Sequence, residues 1–260
     1  MSQTSAQKLL ASQLELAKEL QLTILPSGFP DIRHSSGAAQ MIPALEVGGD
    51  FYDVFELSDG RLGIVIGDVS GKGVPAAFFM AIARTLIRNV AVARSDPGQC
   101  LAEANKQLCA QNPMLLFVTV IYAIWDPWSF TLEVASAGHE KPLLRTAEGE
   151  LHALPVKTSP ALGVIEDLAY PVTVLSLHAG DALLLYTDGV TDALDAEGTA
   201  FGNERLERVF KEGSFNDATD TLGDVIAAVQ AHAGVTPQTD DITAVLLQVD
   251  PEAKPLLLSS

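Results

Sequence analysis

The sequence predicts an α+β fold in which packed antiparallel sheets are covered by helices on the outside. Strand-like runs come in hairpins, helix-like runs come in two pairs, and one amphipathic helix stands apart at the N-terminus. The 260 residues, 48% of them apolar, suffice for one large domain with a sizeable core.

Residues 7–25 read as an amphipathic helix, because Leu10, Leu14, Ala17, Leu20 and Ile24 recur at helical spacing. Pro26 stops it, and Ser27, Gly28 and Pro30 make a linker. From there to about residue 43 the chain reads as polar and irregular. Phe51–Leu57 and Leu62–Gly67 are strand-like, with Gly60 at the left-handed position of a three-residue hairpin loop. Pro75 opens a helix over Ala76–Val92, and a second covers Gln99–Cys109. Phe117–Trp125 and Thr131–Ala135 form another hairpin. Shorter strands follow at Pro142–Arg145 and Leu151–Leu154, then Val172–Leu177 and Ala182–Thr187. Asn203–Lys211 and Asp217–His232 pair as helices, and Ile242–Val249 is the last strand. The expected division is a helix and linker over 1–30, a catalytic domain over 31–250 and a flexible tail over 251–260.

The formal net charge of −17 argues against nucleic acid and anionic membranes as partners. No secretory leader is expected, and no stretch reads as long enough to span a membrane. Cys100 and Cys109 read as two buried thiols. A cytoplasmic location follows from these readings.

The carboxylates carry the chemistry. If Leu57 pairs with Arg61 across the hairpin loop, Asp50 and Asp68 face each other, with Cβ atoms about 5 Å apart. Two like charges so placed are destabilising without a cation between them. Asp188 ends the apolar strand before it, and Asp240-Asp241 begins the last strand. Aspartates this close to apolar strands are costly unless compensated. Hard oxygen donors without His or Cys favour Mg²⁺, Mn²⁺ or Ca²⁺ over zinc. The glycine-rich loop Gly67–Gly73 lacks nucleotide P-loop spacing. His139, after Ala137-Gly138, is either structural or a neighbour of the metal ligands.

Five motifs in order are specific together: Gly48-Gly49-Asp50-Phe51-Tyr52-Asp53, Gly67-Asp68-Val69-Ser70-Gly71-Lys72-Gly73, Ala137-Gly138-His139, Tyr186-Thr187-Asp188-Gly189-Val190 and Asp240-Asp241-Ile242-Thr243. Together they resemble the protein phosphatase 2C-type (PPM) family, in its SpoIIE/RsbU-like bacterial branch, over about residues 8–249. The resemblance implies an α-β-β-α sandwich with two Mn²⁺ or Mg²⁺ ions per active site. It implies that Asp68 bridges both metals and that the Val69 carbonyl binds the second. Asp188 and Asp241 would bind the first, and Asp50 would join the cluster directly or through water. The implied activity is hydrolysis of phosphoserine or phosphothreonine on a partner protein, such as an anti-sigma-factor antagonist in a stress-response pathway. Ser70 stands where eukaryotic members carry the histidine that serves as general acid, and no phosphate-binding arginine is evident near the motifs. Lys72 is the remaining basic candidate.

No sensor domain is read in the sequence, so the input is expected from a partner or a removed region. The N-terminal helix is the expected control element, pairing with a second copy or docking when an activator signals. A catalytically inactive, partner-binding relative is the alternative, and the full carboxylate set opposes it. An aspartate-nucleophile phosphatase is opposed by the missing Asp-x-Asp motif. A calcium module is opposed by the wide spacing of the carboxylates.

Overall fold

A computed structural model describes residues 3–94 and 96–254 of the chain. Two sheets lie face to face. The first has the order β1 (Ser35–Ile42), β11 (Ile242–Val249), β10 (Ala182–Tyr186), β6 (Leu143–Arg145) and β7 (Leu151–Ala153). The second runs β2 (Phe51–Glu56), β3 (Leu62–Val69), β4 (Val118–Asp126), β5 (Thr131–Ala137) and β8 (Thr158–Ser159), and β9 (Val172–Ser176) also pairs with β5. Among the described residues β5–β8 is the one parallel strand pair.

Helices α2 (Val74–Ala93) and α3 (Pro97–Ala110) cover the second sheet, and α5 (Gly202–Glu212) and α6 (Ala218–Ala233) cover the first. The alternation of side chains along a strand builds these layers. In β10 and β11, Leu183, Leu185, Val245 and Leu247 join the core between the sheets, while Leu184, Tyr186, Ala244 and Leu246 pack with the α5–α6 layer. The result is the expected α-β-β-α sandwich. Asp96 and Asp217 cap α3 and α6 by accepting bonds from first-turn N–H groups.

The β2–β3 register is the one the loop predicts. Leu57 N–H donates to the Arg61 carbonyl at 2.7 Å, and Gly60 has φ 82°. Phe51 pairs with Gly67, so one further step sets Asp50 opposite Asp68.

Three sequence expectations need correction. Residues 35–42, expected to be irregular, form edge strand β1, paired with β11 along its whole length. Their small and polar residues show no alternation, and Gly37 is there because the Phe29 ring would lie 2.3 Å from a Cβ. The second concerns α2, whose 20 residues are long and apolar enough, by length and composition, to cross a membrane. Counting unbroken apolar runs misses this because Arg84 and Arg88 interrupt the helix. In the fold, Ala76, Phe79, Met80, Ala83 and Ile87 of α2 are buried. Third, Cys100 is buried but Cys109 is only half-buried.

Helix α1 (Gln3–Ile24) matches the expected N-terminal helix, yet Leu10, Leu20 and Ile24 of its apolar stripe are exposed. Its inward side is Leu14, Ala17, Gln21 and the following Leu25. At the other end, residues 251–254 turn back with Ala253 buried, and residues 255–260 of the expected tail lie outside the described residues.

One buried ion pair ties α2 to β2. Asp53 is 1% exposed and meets Arg84 at 3.1 Å and Arg88 at 2.6 Å. Asp53→Ala is therefore expected to lower unfolding free energy by about 3 kcal/mol, because it leaves the Arg84 guanidinium, only 12% exposed, without its carboxylate. Urea denaturation checks this, and a loss below about 1 kcal/mol, the range of exposed pairs, would remove the pair from the fold's supports.

Candidate metal centre

Four chain segments bring carboxylates to one edge of the sandwich. They are the turn before β2, the C-terminal end of β3, the step from β10 into the short helix α4 (Asp188–Thr191), and the turn leading into β11.

Asp50 is 1% exposed. Its Oδ2 accepts the Thr187 hydroxyl at 2.7 Å, and that hydroxyl oxygen in turn accepts the Thr243 N–H at 3.1 Å. Burial drives the Asp50 carboxyl well above the usual carboxylate range, and the charges of Asp68 and Asp241 push it further. Burial likewise raises Asp68 to about 7, with Asp188, Asp240 and Asp241 adding to the shift and a contact with Asp50 opposing it. Asp188 is raised by burial, then by Asp240 and Asp192. Asp192 itself sits at the C-terminal end of α4.

The adjacent pair Asp240-Asp241 divides its labour. Asp241 turns inward, where Oδ1 accepts Ala44 N–H at 2.8 Å and Oδ2 accepts Gly49 N–H at 2.7 Å and Asp50 N–H at 3.3 Å. The approach is so close that a Cβ at Gly48 would lie 2.1 Å from Asp241 Oδ2, and one at Gly189 would lie 1.9 Å from the Asp241 carbonyl oxygen. Those two motif glycines are therefore packing requirements. Asp240 faces outward instead. Its Oδ2 pairs with the Lys72 ammonium at 2.9 Å, and its charge acts on both Asp68 and Asp188. The Val69 carbonyl borders the same turn, 2.8 Å from where a Gly49 Cβ would stand.

Two candidate proton donors are engaged elsewhere. Ser70 Oγ accepts Phe117 N–H at 2.9 Å while Ser70 N–H donates to the Phe117 carbonyl at 2.8 Å, so the side chain pins its own loop. His139 is buried, with Nδ1 2.8 Å from the Thr119 hydroxyl. Burial pushes its pKa down to about 4, against contacts with the Tyr186 and Thr119 backbone that raise it. It is therefore neutral near pH 7.

Two contributors receive no role from the sequence alone: Thr187, which lies inside one of the five motifs, and Gln21, which lies outside all of them. Thr187 reaches Asp50 as described above. Gln21, 5% exposed, holds the Gly48 backbone at both ends of its amide: Nε2 donates to the Gly48 carbonyl at 2.8 Å, and Oε1 accepts Gly48 N–H at 3.0 Å. The signal for Gln21 was a polar residue in helical step with Leu14 and Ala17.

Among the described residues no three Asp, Glu, His or Cys side chains converge into a finished ligand cage. The chemistry of the donors nevertheless fits hard divalent cations. Burial and neighbouring carboxylates make Asp50, Asp68 and Asp188 all hold protons more tightly than usual, a cost that a bound cation would offset, and their donors are all oxygen.

Comparison with known proteins agrees with this architecture. The sequence model of the Stage II sporulation protein E (SpoIIE) family matches residues 58–250. Protein IcfG of Synechocystis sp. is 32% identical over 261 residues, covering 90% of this chain and 41% of IcfG. The phosphoserine phosphatase RsbU of Bacillus subtilis is 28% identical over 193 residues, covering 74% of this chain and 57% of RsbU. The chain thus spans about half the length of these two relatives. The solved SiaA-PP2C domain of Pseudomonas aeruginosa superposes with a TM-score of 0.81 at 27% identity, covering 94% of this chain and 99% of that domain.

The two neighbouring aspartates should separate in experiment. In excess chelator, Asp241→Ala leaves three backbone N–H groups without an acceptor and is expected to cost about 3 kcal/mol of stability. Asp240→Ala removes one exposed ion pair and the acceptor of a single N–H, that of Asp241, while relieving like-charge repulsion on Asp68 and Asp188, so its effect should stay within about 1 kcal/mol. Equal losses for the two variants in urea titrations would contradict this division.

Proposed function

The chain belongs to the SpoIIE family and has the fold of PP2C-type phosphatase domains, and from that premise we propose that it is a divalent-metal-dependent phosphatase for phosphoserine and phosphothreonine on a partner protein. The observation that carries this reading is the gathering of Asp50, Asp68, Asp188 and Asp240 from four separate segments, where burial and neighbouring negative charge hold Asp50, Asp68 and Asp188 above the usual carboxylate range. A catalytically inactive relative would have no reason to keep such a cluster, which is costly to fold around.

We assign metal ligation to Asp50, Asp68, the Val69 carbonyl, Asp188 and Asp240. Asp241, expected as a ligand from the motif, takes the role of holding the turn that bears Asp50. What supports the exchange is that the Asp241 oxygens take three backbone N–H groups, whereas Asp240 Oδ1 accepts one, from Asp241, and its Oδ2 meets the exposed Lys72 ammonium. When bound, two Mn²⁺ or Mg²⁺ ions supply a water acidified for in-line attack on phosphorus and neutralise charge on the phosphoryl oxygens. The chain's own part is orientation. Thr187 fixes one Asp50 oxygen, and Asp241 fixes the turn beneath it. His139 and Ser70 are not assigned the leaving-group proton, since one is neutral and buried and the other is a serine hydroxyl, a poor proton donor near neutral pH. That proton is assigned to solvent in the cleft.

Resemblance to the RsbU branch supports an anti-sigma-factor antagonist as the phosphorylated partner, in the cytoplasm, within a stress-response or sigma-factor pathway. The exposed leucines of α1 support a second copy or an activator as its docking partner. Gln21 supplies the route from that helix to the site, because it holds the residue two before Asp50.

Two outcomes follow. The chain should hydrolyse p-nitrophenyl phosphate and a phosphoserine peptide with Mn²⁺ and stop in excess chelator, and Asp68→Asn should lose more than about a hundredfold in rate. Full turnover in chelator would sink the metal mechanism. Gln21→Ala should weaken Mn²⁺ binding by roughly tenfold, as loss of an outer contact that orients a ligand does. Titration calorimetry giving wild-type Mn²⁺ affinity for this variant would disconnect α1 from the site.

A further inference from the structure

We propose that Lys72 is a phosphate-binding residue held in reserve: its ammonium neutralises Asp240 while no divalent cation is bound there, and turns to the substrate's phosphoryl group when one is. The inference rests on the phosphatase reading above.

Lys72 lies in the loop between β3 and α2, flanked by Gly71 and Gly73, which have φ of 88° and 71°. Its ammonium reaches the turn before β11, where it bonds the Thr239 carbonyl and Asp240 Oδ2. The two side chains are 51% and 43% exposed. An ion pair so exposed contributes at most about 1 kcal/mol to stability, so holding the fold does not account for it. The stem is not buried, and the charge can swing at little cost. The surroundings keep the ammonium protonated, because the bond with Asp240 raises its affinity for the proton and the charges of Asp240, Asp241 and Asp68 add to that.

The charge balance of the site calls for such a group. Asp50, Asp68, Asp188 and Asp240 carry four negative charges when ionised, and two divalent cations carry four positive ones. With Asp241 and Asp192 alongside, the loaded cluster stays net negative, while a phosphomonoester arrives with a charge near −2. Lys72 is a cation whose field reaches Asp188, and its ammonium sits on Asp240. A divalent cation on Asp240 competes directly with the ammonium for the same carboxylate. Metal binding thereby frees a donor at the place where phosphate binds, which couples the two events.

The test compares wild type, Lys72→Met and Lys141→Met in the full chain. Lys141→Met removes the same charge from an exposed lysine in the loop after β5 and serves as a control. Titration calorimetry with Mn²⁺ alone should show Lys72→Met binding roughly threefold or more tightly, since a competitor is gone. In Mn²⁺-loaded protein, inhibition of p-nitrophenyl phosphate hydrolysis by inorganic phosphate should weaken about tenfold. Unchanged or weaker Mn²⁺ binding, unchanged inhibition, or equal effects from Lys141→Met would overturn the proposal. A wild-type chain that neither binds Mn²⁺ nor hydrolyses the substrate would overturn the phosphatase reading and this inference together.

Discussion

One carboxylate joins the two sheets where the site is built. Asp241 begins β11 in the first sheet and accepts N–H bonds from the turn that begins β2 in the second. Without that clasp the turn carrying Asp50 would have three backbone N–H groups to satisfy and no reason to lie beside β11. Gly48 and Gly189 let the clasp close, because a methyl group at either would overlap Asp241. The position of Asp50 opposite Asp68 therefore depends on a contact made by neither of them.

The constraint also explains why the site tolerates so much like charge. Burial displaces Asp50, Asp68 and Asp188 upward in pKa, and the negative charges around each of them add to the shift. An isolated loop would relieve that repulsion by moving apart. Here the ends of β3, β10 and β11 are fixed by ladders in buried sheets, and Asp50 is fixed by Thr187 and the Asp241 turn. The fold holds the repulsion in place, which is how a protein preorganises a cation site.

Much of this was legible in the sequence. The β2–β3 register followed from one glycine in a three-residue loop, and with it the facing of Asp50 and Asp68. The helix pairs and most strands followed from periodicity and breakers. What escaped has physical causes. β1 is an edge strand of small residues, whose place is set by β11 and by the Phe29 ring, not by its own pattern. Neighbouring Asp240 and Asp241 are chemically identical in sequence, and only the backbone direction at the start of β11 decides which turns inward. Gln21 acts through a contact with a residue 27 positions away, which no local spacing reveals.

The unequal anchoring of α1 gives it a mechanical character. Its 22 residues span roughly 33 Å, yet its buried contacts with the domain concentrate at the C-terminal end, around Gln21 and Leu25. The opposite end projects leucines into solvent. Such a helix is a crank with a long arm and a short bearing. Turning it by a single residue step, about 100°, would carry the Gln21 amide off Gly48 and leave a buried peptide unit without partners. Torque applied far from the cleft would thus be felt as a change in how firmly the turn below Asp50 is gripped.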